Sequence, residues 1–166
     1  MATLKRRQFF RAVWEHTRQQ LPPDLDEPRT RQTMNFLKVQ PSPNYRIHYE
    51  AMISAQTGYL EVGLHFEDGP ESTGRLLAFF DAEILAIKYE LGEQSELERW
   101  TKSWGHLFEV MPLEPLTREY AERVAGRLSA YIITLQPLLN EAFDRGLVSH
   151  EPRPSRGGGR FSRARR

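Results

Sequence analysis

Apolar and polar positions alternate most clearly over residues 45–67. Tyr45, Ile47, Tyr49, Ala51 and Ile53 take turns with Arg46, His48, Glu50, Met52 and Ser54. Leu60, Val62, Leu64 and Phe66 then take turns with Glu61, Gly63, His65 and Glu67. A period of two predicts two strands, each with one apolar and one polar face. Residues 55–58 lie between them as a short turn ending in Gly58, so the pair reads as a β-hairpin. The apolar residues must share a face, so paired residue numbers sum to an odd number. Ser54 opposite Tyr59 then places His48 opposite His65 and Arg46 opposite Glu67.

Helical spacing appears on both sides of the hairpin. Phe10, Val13, Trp14, Thr17 and Leu21 form one stripe over residues 4–21, with Thr3 as an N-cap and Pro22–Pro23 as the stop. Leu77, Phe80, Ile84, Ile87 and Leu91 predict a helix that starts at Ser72 or Thr73 and stops at Gly92. Tyr120, Val124, Leu128, Ile132, Leu135, Leu139 and Phe143 predict a long last helix capped by Thr117, in which Pro137 should cause a kink or start a second helix. The remaining pieces are weaker. Residues 22–32 read as a connector, 33–39 as a short strand, 96–103 as helical or irregular, and 106–113 as a strand. Together these predict an α+β fold, a small antiparallel sheet around the central hairpin packed by N-terminal, middle and long C-terminal helices.

Beyond Gly146 the pattern stops, and Pro, Gly, Ser and Arg take over. The chain therefore divides into one domain over residues 1–147 and an Arg/Gly-rich tail, expected to be disordered, over residues 148–166. Its 166 residues suit a single core, which 9 Phe, 6 Tyr and 3 Trp are enough to fill. The net charge of +1 conceals an asymmetry. Residues 151–166 carry six arginines against Glu151, whereas residues 1–150 hold 17 basic and 21 acidic side chains. A basic arm on a mildly acidic body suggests an interaction segment.

Other composition features narrow the function. No apolar run approaches the roughly 20 residues that cross a bilayer, so no membrane partner is expected. Arg6 and Arg7 near the start are followed by Gln8, Arg11, Glu15 and His16 rather than an apolar stretch, so no signal peptide is expected. Cysteine is absent, which removes disulfides, thiolate metal sites and Cys nucleophiles and fits a reducing, cytoplasmic setting.

Four features are candidates for chemistry or binding. The polar face of the hairpin gathers His48, Glu50, Glu61 and His65, with Glu67 and Arg46 beside them, and imidazoles with carboxylates can ligate Zn²⁺ or Mn²⁺. The plainer reading is a solvated face with two exposed histidines and an Arg46–Glu67 cross-strand pair. A metal-dependent nuclease would also need a lysine near the phosphate, but Gly63 stands where a Glu-x-Lys pattern has it, and Lys88 lies on the next helix. Trp100 and Trp104, with Phe108, either bind a partner or seal one edge of the core. The tail gives the strongest signal: Arg153, Arg156, Arg160, Arg163, Arg165 and Arg166 suit phosphate contacts, glycines let the chain bend, and Phe161 can stack on a base. No serine-nucleophile elbow or phosphate-binding glycine loop occurs.

The segment KYELGEQSELERW, residues 88–100, resembles a stretch of an uncharacterised bacterial domain found alone or at the C-terminus of restriction-type proteins. The opening FFRAVWE, residues 9–15, and the order of hairpin, helix, strand and long helix look similar to that family too. Here the tryptophan follows the Glu-Arg pair, and the family brings no established catalytic residues to transfer. What the resemblance implies is an accessory setting linked to nucleic acid or defence.

The leading expectation is a non-enzymatic binding or adaptor protein, with no cofactor, whose tail contacts RNA or DNA and whose body meets a protein partner. One alternative is a metal-dependent, nuclease-like enzyme using His48, Glu50, Glu61 and His65. The other is a structural subunit of a larger assembly, held through Trp100, Trp104 or the last helix.

Overall fold

The structure is a computed structural model that describes residues 2–25 and 27–153. The chain order is α1 (Arg6–Gln20), β1 (Arg29–Gln32), β2 (Phe36–Gln40), β3 (Ile47–Ser54), β4 (Tyr59–Phe66), α2 (Pro70–Ala82), α3 (Ile84–Leu91), β5 (Glu96–Arg99), β6 (Gly105–Pro112) and α4 (Arg118–Asp144). The fold is α+β, and its strands form one antiparallel sheet of order β1-β2-β3-β4-β6-β5.

The central hairpin has the register that its alternation predicts, with Ser54 opposite Tyr59 and His48 opposite His65. Ile47, Tyr49, Ala51, Leu60, Val62, Leu64 and Phe66 are buried on one face beneath the helices. Phe9, Phe10 and Val13 of α1 and Val124, Leu128 and Ile132 of α4 complete this core. Burial of apolar area at roughly 25 cal/mol per Å² is what holds sheet and helices together. Inside the core, the Tyr49 hydroxyl donates to Gln136 Oε1 at 3.1 Å, so the phenol is not buried unpaired. On β6 the face pattern is inverted at one pair. Glu109 turns toward the helices, where Arg127 of α4 grips both its oxygens at 2.7 Å, while Val110 is exposed.

Several boundaries differ from the sequence reading. The connector over residues 22–32 supplies β1, an exposed edge strand paired to β2, so the short strand becomes a hairpin. Residues 96–99 form the edge strand β5 rather than a helix. The first helix is capped at Lys5, whose N–H donates to Gln8 Oε1, and not at Thr3. The middle helix starts at Pro70 after Gly69, whose φ of 93° is open to glycine. It breaks at Glu83 into α2 and α3. The last helix is capped by Thr117, which accepts from the Tyr120 N–H at 3.2 Å. It runs through Pro137 to Asp144 as one helix, so of the two outcomes expected at Pro137, a kink or a second helix, the second does not occur.

Candidate metal centre

Three neighbouring strands each place a histidine at the same level of the face opposite the helices. His48 of β3 pairs with His65 of β4, and His65 pairs with His106 of β6. The rings form a row: His48 and His65 are stacked with centroids 5.6 Å apart, and His65 meets His106 edge-on at 5.2 Å.

This face is not solvated. His48, His65 and His106 are only 1%, 2% and 5% exposed. The cover comes from side chains of the face itself. Trp100, at the turn between β5 and β6, stacks on His106 at 5.3 Å and meets His65 edge-on at 5.9 Å. Phe108, two residues along β6, closes the other side of the His106 ring at 3.8 Å. Trp100 and Trp104 remain 46% and 40% exposed; Trp100 roofs the histidine row and Trp104 packs on Trp100, with ring centroids 5.9 Å apart.

Carboxylates are interleaved with the imidazoles. Glu61 Oε1 lies 2.8 Å from His65 Nε2 and 3.1 Å from His106 Nδ1. Glu61 and His65 are four residues apart on β4, and the residue between them on this face is Gly63. Without a side chain at 63, the carboxylate and the ring lean across the gap and meet. Strand β6 also packs tightly there: a Cβ on Gly63 would stand 2.4 Å from the Leu107 carbonyl oxygen and 2.7 Å from Phe108 Cα. On the other side of the row, His48 Nε2 is 3.0 Å from Glu50 Oε2, and Glu67 Oε1 lies 3.8 Å from His65 Nδ1. Lys38 Nζ reaches the same Glu50 oxygen at 3.4 Å. The expected Arg46–Glu67 pair is replaced, since Arg46 lies 3.9 Å from Asp68 while Glu67 serves the histidines.

The electrostatics follow from this packing. Burial by itself disfavours a charged His65 ring, but hydrogen bonds to Glu61 and Glu67 outweigh it and hold the pKa up at about 9. Burial would likewise raise Glu61, and hydrogen bonds from His106 and His65 bring it down to about 2. Glu50 and Glu67 are lowered against their burial as well, Glu50 chiefly by His48 and Glu67 chiefly by His65. In the metal-free protein His65 is therefore an imidazolium clamped between carboxylates.

Two overlapping sets of ligand atoms result, His48–Glu50–His65 and Glu61–His65–His106, each with its atoms within 4.8 Å of one another. Ligand atoms about 2.0–2.1 Å from a tetrahedral ion stand roughly 3.3 Å apart, close to the spacings around Glu61. All four residues named from the sequence, His48, Glu50, Glu61 and His65, are brought together. His106 is the candidate ligand that sequence reasoning missed. Its available signal was the alternation of His106, Phe108 and Val110, which puts the three on one face.

The two sets differ in access. Glu61 and His106 line a cleft of about 400 Å³ whose walls include Tyr59, Trp100, Met52 and Glu98. His106 Nε2 has no hydrogen-bond partner, with Glu98 Oε2 the near acceptor at 3.8 Å. His48, Glu50 and His65 are all buried.

The remaining candidates lie elsewhere. Lys88 is on α3 and donates to the Glu93 carbonyl, away from the histidine row. Of the tail residues, Arg153 is held against the body, its N–H 3.4 Å from Asp68 Oδ1 and its guanidinium 3.1 Å from Glu71. Arg156, Arg160, Phe161, Arg163, Arg165 and Arg166 lie outside the described residues. Among the described residues no helix is long and apolar enough to cross a membrane. The segment that carries the family resemblance folds as the end of α3, a turn and β5. Compared with protein-family models, curated proteins and solved structures, the chain matches none of them.

Proposed function

We propose that this protein is a metal-dependent enzyme that binds a divalent ion of the zinc class at Glu61, His65 and His106 and acts by metal-assisted hydrolysis. The observation that carries this reading is the ligand count beside a cleft. Three protein ligands with a side open to substrate are the arrangement of catalytic zinc sites, whereas structural sites are closed by four. An ion there supplies Lewis acidity and an activated water. The chain's own groups do the rest. Gly63 leaves the gap that lets Glu61 reach both histidines, Phe108 and Trp100 clamp the His106 ring, and the Glu98 carboxylate lies 3.8 Å from its Nε2, beyond hydrogen-bond range.

The cleft also bears on substrate charge. Its polar lining is Glu61, Glu98, His106, Ser54, Thr57 and Tyr59, with no lysine or arginine among the described residues. Such a lining suits a neutral or cationic substrate and disfavours a phosphodiester, which sets this reading apart from a nuclease. The nucleic-acid arm expected from the tail concerns, apart from Arg153, residues outside the described ones.

The test uses full-length protein stripped by a chelator and titrated with Zn²⁺, followed by assays on p-nitrophenyl acetate and on bis-p-nitrophenyl phosphate. Micromolar or tighter binding, loss of binding at this site in Glu61→Gln, and metal-dependent ester cleavage are expected. No binding by the intact chain would end the proposal, and cleavage of the phosphodiester alone would restore the nuclease.

A further inference from the structure

The side of His65 away from Glu61 has a geometry that the open site does not explain. His48 Nδ1 lies 3.0 Å from the Tyr45 carbonyl oxygen, which can only accept, so Nδ1 carries a proton and donates it. That leaves Nε2 aimed at Glu50 Oε2, 3.0 Å away. An ionised carboxylate also only accepts, so two lone pairs face each other unless a second ring proton or a cation stands between them. A backbone carbonyl that fixes one imidazole nitrogen while the other faces a carboxylate is the outer-shell arrangement of metal-ligating histidines. Glu67 Oε1 stands beside these groups, 4.0 Å from His48 Nε2 and 3.8 Å from His65 Nδ1.

We infer that the face holds a second divalent ion, in a closed position formed by His48 Nε2, Glu50 and His65 Nδ1 with Glu67 beside it, so that His65, releasing both ring protons to solvent as the ions bind, would bridge two ions as an imidazolate. The inference rests on the open site at Glu61, His65 and His106, since it assigns that site's shared ligand a second duty. The positions differ in kind. The open one has its three candidate ligands beside the cleft, whereas the closed one has the buried set His48, Glu50 and His65, with Glu67 the adjacent carboxylate. Lys38 is the charged neighbour to be reckoned with, because its ammonium reaches the Glu50 oxygen that the ion would take. It neutralises Glu50 when the position is empty and competes with an arriving ion.

The stoichiometry decides the matter. Chelator-stripped full-length protein is titrated with Zn²⁺ by calorimetry and, separately, with Cu²⁺ followed by electron paramagnetic resonance. Two ions per chain are expected. The Cu²⁺ signal should grow through the first equivalent and fall through the second, as ions bridged by one imidazole couple. His48→Gln should retain one ion and His106→Gln one ion, while Lys38→Met, which removes no ligand, should tighten only the second ion, by roughly tenfold. One ion per chain, or a Cu²⁺ signal that grows through two equivalents, overturns the bridge and leaves the open site standing. No ion at all overturns both.

Discussion

The two faces of the central hairpin are made by alternate residues of the same strands, yet they bury opposite things. One face packs Leu60, Val62 and Leu64 beneath α4, and its apolar side chains need no partner. The other buries three imidazoles among three carboxylates with no helix over it, covered by Trp100 and Phe108. Apolar burial is non-directional and tolerant of exchange, whereas buried charge is stable only with every partner in place. The first face is a source of stability. The second keeps its charge only through mutual pairing, and perturbed titratable groups beside a cleft are the mark of a functional site.

The largest effect that separates the faces is expected from Leu64→Ala. It removes a fully buried side chain and should cost about 2–5 kcal/mol in chemical denaturation, while the folded fraction keeps its metal affinity. Gly63→Ala should cost less, about 1–3 kcal/mol, because its Cβ meets β6 backbone, but it should also weaken metal binding by filling the gap Glu61 crosses. A denaturation curve with a metal titration on the same sample checks both.

pH should affect the polar face alone. His65 has a folded pKa of about 9 against an ordinary 6.5, so its contribution in the metal-free protein is fully present below pH 6.5 and lost as pH rises through 9. Glu61 has a folded pKa of about 2 against 4.5, so its contribution is present above pH 4.5 and lost as pH falls through 2. Thermal stability of the metal-free protein should be highest between about pH 4.5 and 6.5 and decline toward pH 9. His65→Gln should flatten the alkaline decline, and Leu64→Ala should only shift the whole profile down.

The smallest effect is expected from removing residues 154–166, which should leave metal affinity and stability within about 0.5 kcal/mol of the full chain. A salt-dependent loss of RNA or DNA binding in the same deletion would show the tail to be a separate arm.

The sequence made the apolar face easy to read and the polar face half readable. Strict alternation fixed β3 and β4, and the parity of their apolar residues fixed His48 opposite His65. The edge strands escaped because Arg29–Gln32 has no apolar residue and Glu96–Arg99 has only Leu97, so their extension comes from pairing with β2 and β6. The break at Glu83 has no Pro or Gly to announce it. His106 was missed because its partner Glu61 lies 45 positions earlier, across an excursion through α2, α3 and β5. The burial of the histidines was equally hidden, because it depends on where Trp100 lands after β5 turns back to β6.

The central claim is that the polar face is a metal centre rather than a self-contained salt-bridge cluster. The most direct measurement is thermal unfolding of the chelator-stripped protein with and without Zn²⁺ at pH 7. At about 100 times the dissociation constant the ion should add about 2.7 kcal/mol, a rise in Tm of roughly 5–10 °C for a chain of this size. Excess chelator should reverse the rise, and His65→Gln should abolish it. An unchanged Tm, or an equal rise in His65→Gln, would contradict the account.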